Sequence, residues 1–318
     1  MRVVFMGTPE FAVASLRALL EAGLDVVGVV TQPDRAKGRG KRLTPPPVKV
    51  FAQEKGLRVL QPKSLKDPAA VELIRGLVPE VIAVVAYGKI LPPAVLAIPP
   101  LGCINVHASL LPKYRGSAPI HRAVMAGEPE TGVTTMFMDE GLDTGDMLLQ
   151  VHVPIGPDDN VGAIHDRLAE EGARLLVRTL ARLADGYAFR IPQDHSRATY
   201  APPISPEDEV VDWRRPAREI HNQVRGLDPR PGARTTWDGR VLKVWRTAVL
   251  ESGPGEGAPG LVAAHGPSQD LVVAAGDGWL ILRELQLAGG RRVDGRSFLR
   301  GHPEIVGSTL GVHGDRSE

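Results

Sequence analysis

A single cysteine, Cys103, in a chain of 318 residues leaves no possibility of an intrachain disulfide and gives no sign of an oxidising compartment. No apolar run approaches the roughly 20 residues needed to span a bilayer. The chain enters a strand pattern at once with Arg2-Val3-Val4-Phe5-Met6 and lacks the plan of a secretory signal. A soluble, cytoplasmic protein with no membrane partner is expected. A strong charge of either sign is also missing: the net charge of +1 by itself says nothing about nucleic acid. Internal repeats and low-complexity tracts are absent, and Gly (35) with Pro (28) make up a fifth of the chain, below the level that marks disorder. No spacing of His, Cys and carboxylates makes a convincing zinc set, since His121 and His165 fall within helical patterns, so no metal is expected. What is present is ordinary for a globular protein, with 43% hydrophobic and 24% charged residues and a length suited to about two domains.

The pattern of elements divides the chain. Val3–Met6 reads as a buried strand, followed by a helix with Thr8 at its cap and Pro9 in its first turn, running to Gly23. Val26–Thr31 and Val81–Ala86 are short continuous apolar runs suited to the centre of a parallel sheet. Residues 103–108 form a further strand. Helical spacing appears over 48–55, 68–77, 119–126 and 161–184. Strands alternating with helices predict a Rossmann-like, doubly wound α/β domain over residues 1–190. Residues 191–207, polar and rich in Pro, read as a linker. From 208 to 318 one helix (217–227) precedes short, glycine-punctuated strands, which predicts a smaller β-barrel domain.

The chemistry concentrates at Gly102-Cys103-Ile104-Asn105-Val106-His107-Ala108-Ser109-Leu110-Leu111-Pro112. Side chains on a strand alternate between faces, so Asn105 and His107 point one way while Ile104 and Val106 pack the other. An amide donor and an imidazole at a strand end can grip a carbonyl oxygen and manage a proton without a nucleophile. Gly141-Leu142-Asp143-Thr144-Gly145-Asp146 adds a carboxylate on a glycine-flanked loop. Each residue alone has a plainer reading, as a hydrogen-bonded strand His, an edge Asn or a turn Asp. Together they indicate direct group transfer from a carbonyl donor. By the same alternation Cys103 falls on their face, but no base stands beside it, and it reads as a small buried residue.

Charge distribution adds a second theme. Between Asp34 and Lys49 stand six basic residues and one acid; between Asp212 and Arg246 stand nine basic residues and four acids. Each segment is locally about +5. Solvated faces are the plainer explanation, but two such segments on either side of the candidate chemistry favour a nucleic-acid partner.

A strand–Gly–helix opening also suits a dinucleotide oxidoreductase. However, Gly7-Thr8-Pro9-Glu10-Phe11 lacks the further glycines of G-x-G-x-x-G, and Pro9 removes a backbone donor. A non-enzymatic nucleic-acid-binding module would account for the basic segments and leave Asn105, His107 and Asp143 without a purpose.

Asn105-Val106-His107, Ser109-Leu110-Leu111-Pro112-x-Tyr114-Arg115-Gly116 and Gly141-Leu142-Asp143-Thr144-Gly145 resemble the folate-dependent formyltransferases. Thr31-Gln32-Pro33-Asp34-Arg35, the run from Gly38 to Lys49, Val211-Asp212-Trp213, Arg225-Gly226-Leu227 and Pro231-Gly232-Ala233 narrow the resemblance to the methionyl-tRNA formyltransferase branch. The likeness covers most of the chain. Asp228-Pro229-Arg230-Pro231 departs from it, standing where members often have Asn-Pro-Trp-Pro. The resemblance implies formyl transfer from 10-formyltetrahydrofolate to the α-amino group of methionyl-initiator tRNA, for translation initiation, by a monomer. It implies catalytic roles for Asn105, His107 and Asp143 and a folate pocket lined by Ser109, Leu110, Leu111 and Pro112. The C-terminal barrel it implies is OB-like and helps hold tRNA. Lys37, Arg39, Lys41 and Arg42 are expected to contact the tRNA, with Arg39 foremost between its two glycines, and Phe11 to touch the methionine side chain. A related enzyme acting on a glycinamide ribonucleotide or an amino sugar would share the chemistry, with less need of the 34–49 loop or a basic C-terminal domain.

Overall fold

The computed structural model describes residues 1–37, 42–187 and 189–311. Its elements run in order β1 (Arg2–Gly7), α1 (Glu10–Glu21), β2 (Asp25–Val30), β3 (Arg35–Lys37), β4 (Arg42–Thr44), α2 (Pro47–Glu54), β5 (Val59–Leu60), α3 (Pro68–Arg75), β6 (Val81–Val85), α4 (Pro93–Leu96), β7 (Cys103–His107), β8 (Arg115–Gly116) and α5 (Pro119–Ala126). There follow β9 (Glu130–Phe137), β10 (Met147–Pro154), α6 (Val161–Ala184), β11 (Tyr200–Ala201), α7 (Ala217–Leu227), β12 (Ala233–Trp237), β13 (Arg240–Leu250), β14 (Val262–His265), β15 (Asp270–Ala274), β16 (Trp279–Leu287), β17 (Val293–Asp294) and α8 (Gly295–Gly301). Two compact units result. The first takes Met1–Pro119, Glu130–Pro154 and His165–Ala201; the second takes Ile120–Pro129, Ile155–Ile164 and the chain from Pro202 onward.

In the first unit a seven-stranded sheet has the order β10-β9-β7-β6-β1-β2-β5. The pairs from β5 to β7 are parallel, and β9 and β10 close that edge antiparallel. The chain builds outward from β1 through β2 to β5, then crosses back to lay β6 on the other side of β1. That reversal is the topological switch at which open α/β sheets leave a crevice beyond the carboxyl ends of their strands. Val4, Met6, Val30, Ile82, Val84 and Cys103 form one core face with Val71 and Ile74 of α3 and Val95 of α4. On the opposite face, a Cβ placed on Gly172 of α6 would come within 3.0 Å of Val106, so helix and sheet meet closely there. Such fully buried aliphatic side chains contribute about 1.5–3 kcal/mol each, which fixes the strand register around the site.

Thr8 does not cap α1: Pro9 holds that position, and the Thr8 hydroxyl donates to the carbonyl of Tyr87 at 2.9 Å. The hydroxyl thereby ties the turn after β1 to the one after β6. Residues 34–49, read from sequence as a loop, carry a two-stranded hairpin of β3 and β4 with Lys37 opposite Arg42. Gly38, Arg39, Gly40 and Lys41 lie outside the described residues.

In the second unit the sheet is antiparallel, in the order β12-β13-β16-β15-β14 with β17 added to β16. Ile220, Val224 and Leu227 of α7 pack on Leu242, Val244, Leu271 and Leu280. Within α5, Met125 lies so close to Gly226 of α7 that a Cβ on that glycine would sit 2.4 Å from its side chain, which places residues 120–129 with this unit.

Candidate active site

Strand β7 delivers Asn105 and His107 to one place. Its register sets Asn105 between Val84 of β6 and Met136 of β9, and His107 opposite Thr134. Ile104 and Val106, buried on the other face, lock the strand so that the two polar side chains share the face of Cys103. Asn105 is half-buried and its amide bonds to no described residue, so its two N–H groups are available to a substrate oxygen. Cys103 is buried as expected, and burial pushes its thiol up to about 12, which makes it inert at neutral pH.

His107 is almost fully buried, and each ring nitrogen faces a different group. Nε2 lies 2.9 Å from the carbonyl oxygen of Tyr114. A carbonyl only accepts, so Nε2 carries the hydrogen. Nδ1 lies 3.6 Å from Asp143 Oδ2, an ion-pair separation for a protonated ring but longer than an ordinary hydrogen bond. The same Oδ2 accepts from the backbone N–H of Gly116 at 2.8 Å. Asp143 occupies the left-handed region with φ 54°, and Tyr114 does so with φ 60°. The three residues expected to carry the chemistry are therefore two neighbours on one strand face and a carboxylate brought beside them.

The loop Ser109–Pro112 is braced from within. Ser109 donates from Oγ to the carbonyl of Lys113 at 2.6 Å. Thr134 Oγ1 donates to the Ser109 carbonyl and accepts from Leu111 N, while Gln150 Nε2 reaches both Thr134 Oγ1 and the Leu111 carbonyl. Ser109 and Leu111 are buried, whereas Leu110 and Pro112 keep part of their apolar surface open.

Several residues around this site carry no sequence signal of their own. Arg115 was visible only as part of a motif, yet it is 2% exposed and donates twice to Gln193 Oε1. Gln193 falls in the stretch that reads as a linker, yet it is buried and donates to the carbonyls of Asp143 and Gly145. Farther along, β11 pairs in parallel with β8, and Tyr114 N donates to Thr199 Oγ1. Nothing in the chain next to Arg115 or Gln193 announces these partners, which lie 78 residues apart in sequence.

Of the substrate-contact candidates, Phe11 lies on α1 and Lys37 and Arg42 on the β3–β4 hairpin. Phe11 is buried in α1, its ring edge-on to His165 at 5.2 Å, and packs as a core residue. Lys37 and Arg42 lie at facing positions of the β3–β4 hairpin, and Arg39 and Lys41 lie outside the described residues. At the hairpin's base Gln61 donates to Asp34 and Lys49 grips both of its oxygens; these bonds hold that carboxyl below its usual range. In the second basic segment much of the charge is already satisfied. Arg214, Arg215, Arg234 and Arg246 pair with Asp212, Glu219, Glu209 and Glu284, and Arg225 is buried against the carbonyls of Gly156 and Asp159. Asp228, in the segment that departs from the family pattern, is buried and bound by Asn160 and Arg292, while Arg230 is exposed.

The formyl transferase family model matches residues 1–180, and that of the formyl transferase C-terminal domain matches residues 203–303. The methionyl-tRNA formyltransferase of Pelotomaculum thermopropionicum is 57% identical over 311 residues, covering 98% of this chain and 99% of that protein. That of Desulforamulus reducens is 55% identical over 316 residues, covering 99% of each. The chain belongs to the methionyl-tRNA formyltransferase family. Its fold also matches the solved N-formyltransferase of Helicobacter canadensis, in complex with folinic acid and dTDP-3-aminofucose, with a TM-score of 0.66 at 18% identity over 88% of this chain and 98% of that one. This formyltransferase has the expected architecture, a doubly wound parallel-sheet domain followed by an antiparallel-sheet domain. Among its described residues no helix is long and apolar enough to cross a membrane, and no group of three or more His, Cys, Asp or Glu is placed to hold a metal ion.

Proposed function

We propose that this protein transfers the formyl group of 10-formyltetrahydrofolate to the α-amino group of methionyl-initiator tRNA, with Asn105, His107 and Asp143 as the catalytic residues. The observation that carries the reading is the unspent amide of Asn105 beside a histidine whose Nδ1 faces a carboxylate. The folate donor supplies an activated formyl group. Its fit rests on the braced 109–112 loop, where Leu110 and Pro112 offer apolar surface while Ser109 and Leu111 shape the wall behind them.

As the amine nitrogen bonds to the formyl carbon, negative charge develops on the formyl oxygen, and it returns to the carbonyl as the bond from that carbon to N10 breaks. Asn105 N–H groups hold that oxygen, an interaction that typically supplies ~3–4 kcal/mol per donor. His107 has its Nε2 hydrogen committed to Tyr114, so Nδ1 is the edge that handles the proton leaving the amine for N10. Asp143 faces that edge and orients the ring for the transfer. No enzyme nucleophile is required.

The reading extends to the whole chain. Residues 1–190 form the catalytic part, 191–207 the connection, and 208–318 the part that helps hold tRNA, although the compact units part after Ala201. Lys37, Lys41 and Arg42 neutralise phosphates and Arg39 reaches deeper; any contact of Phe11 with the methionine is left to the small open part of its ring. The enzyme works as a monomer in the cytoplasm. Incubation with 10-formyltetrahydrofolate and charged initiator tRNA tests the reading. Formylmethionine should appear on the tRNA, and transfer only to a small amine such as an amino sugar would overturn it.

A further inference from the structure

We propose that Gln193 is a positioning residue for the Asp143 carboxylate, with the buried Arg115 as its anchor. The inference rests on the catalytic assignment above and adds a residue from a distant segment to it. Asp143 lies half-buried in a bend and holds a left-handed backbone with φ 54°, a conformation that a residue with a side chain keeps only when its surroundings over-determine it. One amide group provides that determination. Gln193 Nε2 donates to the carbonyl of Asp143 at 2.9 Å and to that of Gly145 at 2.7 Å, so it clamps the backbone on both sides of Thr144. Its other end is held equally firmly: Gln193 Oε1 accepts from Arg115 Nη2 at 2.6 Å and from Nε at 3.2 Å. The same guanidinium lies 3.2 Å from His195 Nδ1. Every hydrogen-bonding position of the Gln193 amide is filled, and the side chain is buried, so it cannot rotate to another set of partners without leaving several unmet. The clamp fixes the backbone that bears a carboxylate 3.6 Å from His107 Nδ1, where a shift of about 1 Å is enough to cost roughly 100-fold in rate.

Two variants of the full chain test this. Gln193→Glu keeps the shape and the Arg115 contact but has no N–H to offer the two carbonyls; Gln193→Met is similar in size and carries neither donor nor charge. The imidazole 15N signals of His107, assigned by their loss in His107→Ala, should move in both variants toward those of Asp143→Asn. On formyl transfer, kcat should fall ~10–100-fold with the KM for each substrate nearly unchanged. Gln193→Met should cost little more once Asp143→Asn is present, because both act through one carboxylate. Unmoved His107 signals in a folded variant would overturn the proposal, as would losses that simply multiply in the double variant. A wild-type protein that failed to formylate methionyl-tRNA would sink the functional reading alone, since the His107 signals decide the role of Gln193 independently.

Discussion

Gly116 N and Asp143 Oδ2 are joined by a 2.8 Å hydrogen bond, and that oxygen is the one facing His107. The carboxylate is thus oriented by a backbone donor from the segment that follows β7, and its position depends on where the chain runs through Gly116. That residue has φ 119°, and a Cβ there would meet the carbonyl oxygen of Ala201 at 2.8 Å.

Gly116→Ala should therefore damage both backbone and site. The added methyl must push β8 from β11 and carry the N–H away from Asp143. A loss of about 1–3 kcal/mol in stability is expected, with turnover reduced by ~10-fold or more. Denaturant unfolding and a steady-state assay check this, and a variant with wild-type values of both would contradict it.

Buried His221 makes the C-terminal unit sensitive to acid. Its Nε2 lies 3.0 Å from the carbonyl of Pro157 and its Nδ1 3.0 Å from Thr247 Oγ1. Desolvation holds the ring below its ordinary value of 6.5, with Arg225 and Arg218 acting in the same direction against Asp158 and the Pro157 bond. The unfolded chain takes up a proton as pH falls through 6.5 while the folded chain resists it, so stability declines from there down to the folded value. Unfolding free energies between about pH 7.5 and pH 5 should show this decline, and His221→Gln should flatten it. An equal slope in both proteins would remove His221 as the cause.

Arg39→Ala should weaken use of initiator tRNA by roughly 1–3 kcal/mol at subsaturating tRNA, with folate binding unaffected. Arg39→Lys should rescue only part of the loss, because a planar five-donor fork suits base edges and phosphates better than an ammonium does. Neutralising Lys41 should mainly flatten the salt dependence. Wild-type formylation by Arg39→Ala at low tRNA would return the 34–49 segment to a solvated surface.

What the sequence made legible was local. The period-two alternation of Cys103–His107 put Asn105 and His107 on one face, and the apolar runs at β1, β2 and β6 announced a buried parallel sheet. Hidden from it were the pairings across long separations. Gln193 reads as a polar linker residue because nothing near it in the chain reveals Arg115 or the carbonyls around Asp143. The strand β12 is weakly marked because its inward face is Ala233, Thr235 and Trp237, too polar and short a pattern to stand out, and pairing with the first half of β13 gives it its ladder. The basic stretch from Asp212 to Arg246 looked like a cationic surface, yet Glu209 and Glu284, both beyond its ends, neutralise Arg234 and Arg246. Charge counted along a chain does not show which charges are already paired.

The single-turnover rate of formyl transfer with saturating donor and methionyl-tRNA, compared between wild type and Asn105→Ala, His107→Ala and Asp143→Ala, tests the account most directly. Each substitution should slow the step by ~100-fold or more, the usual scale for removing an oxyanion donor or an acid–base group, while tRNA affinity stays near that of the wild type. Wild-type rates in Asn105→Ala or His107→Ala would contradict the account.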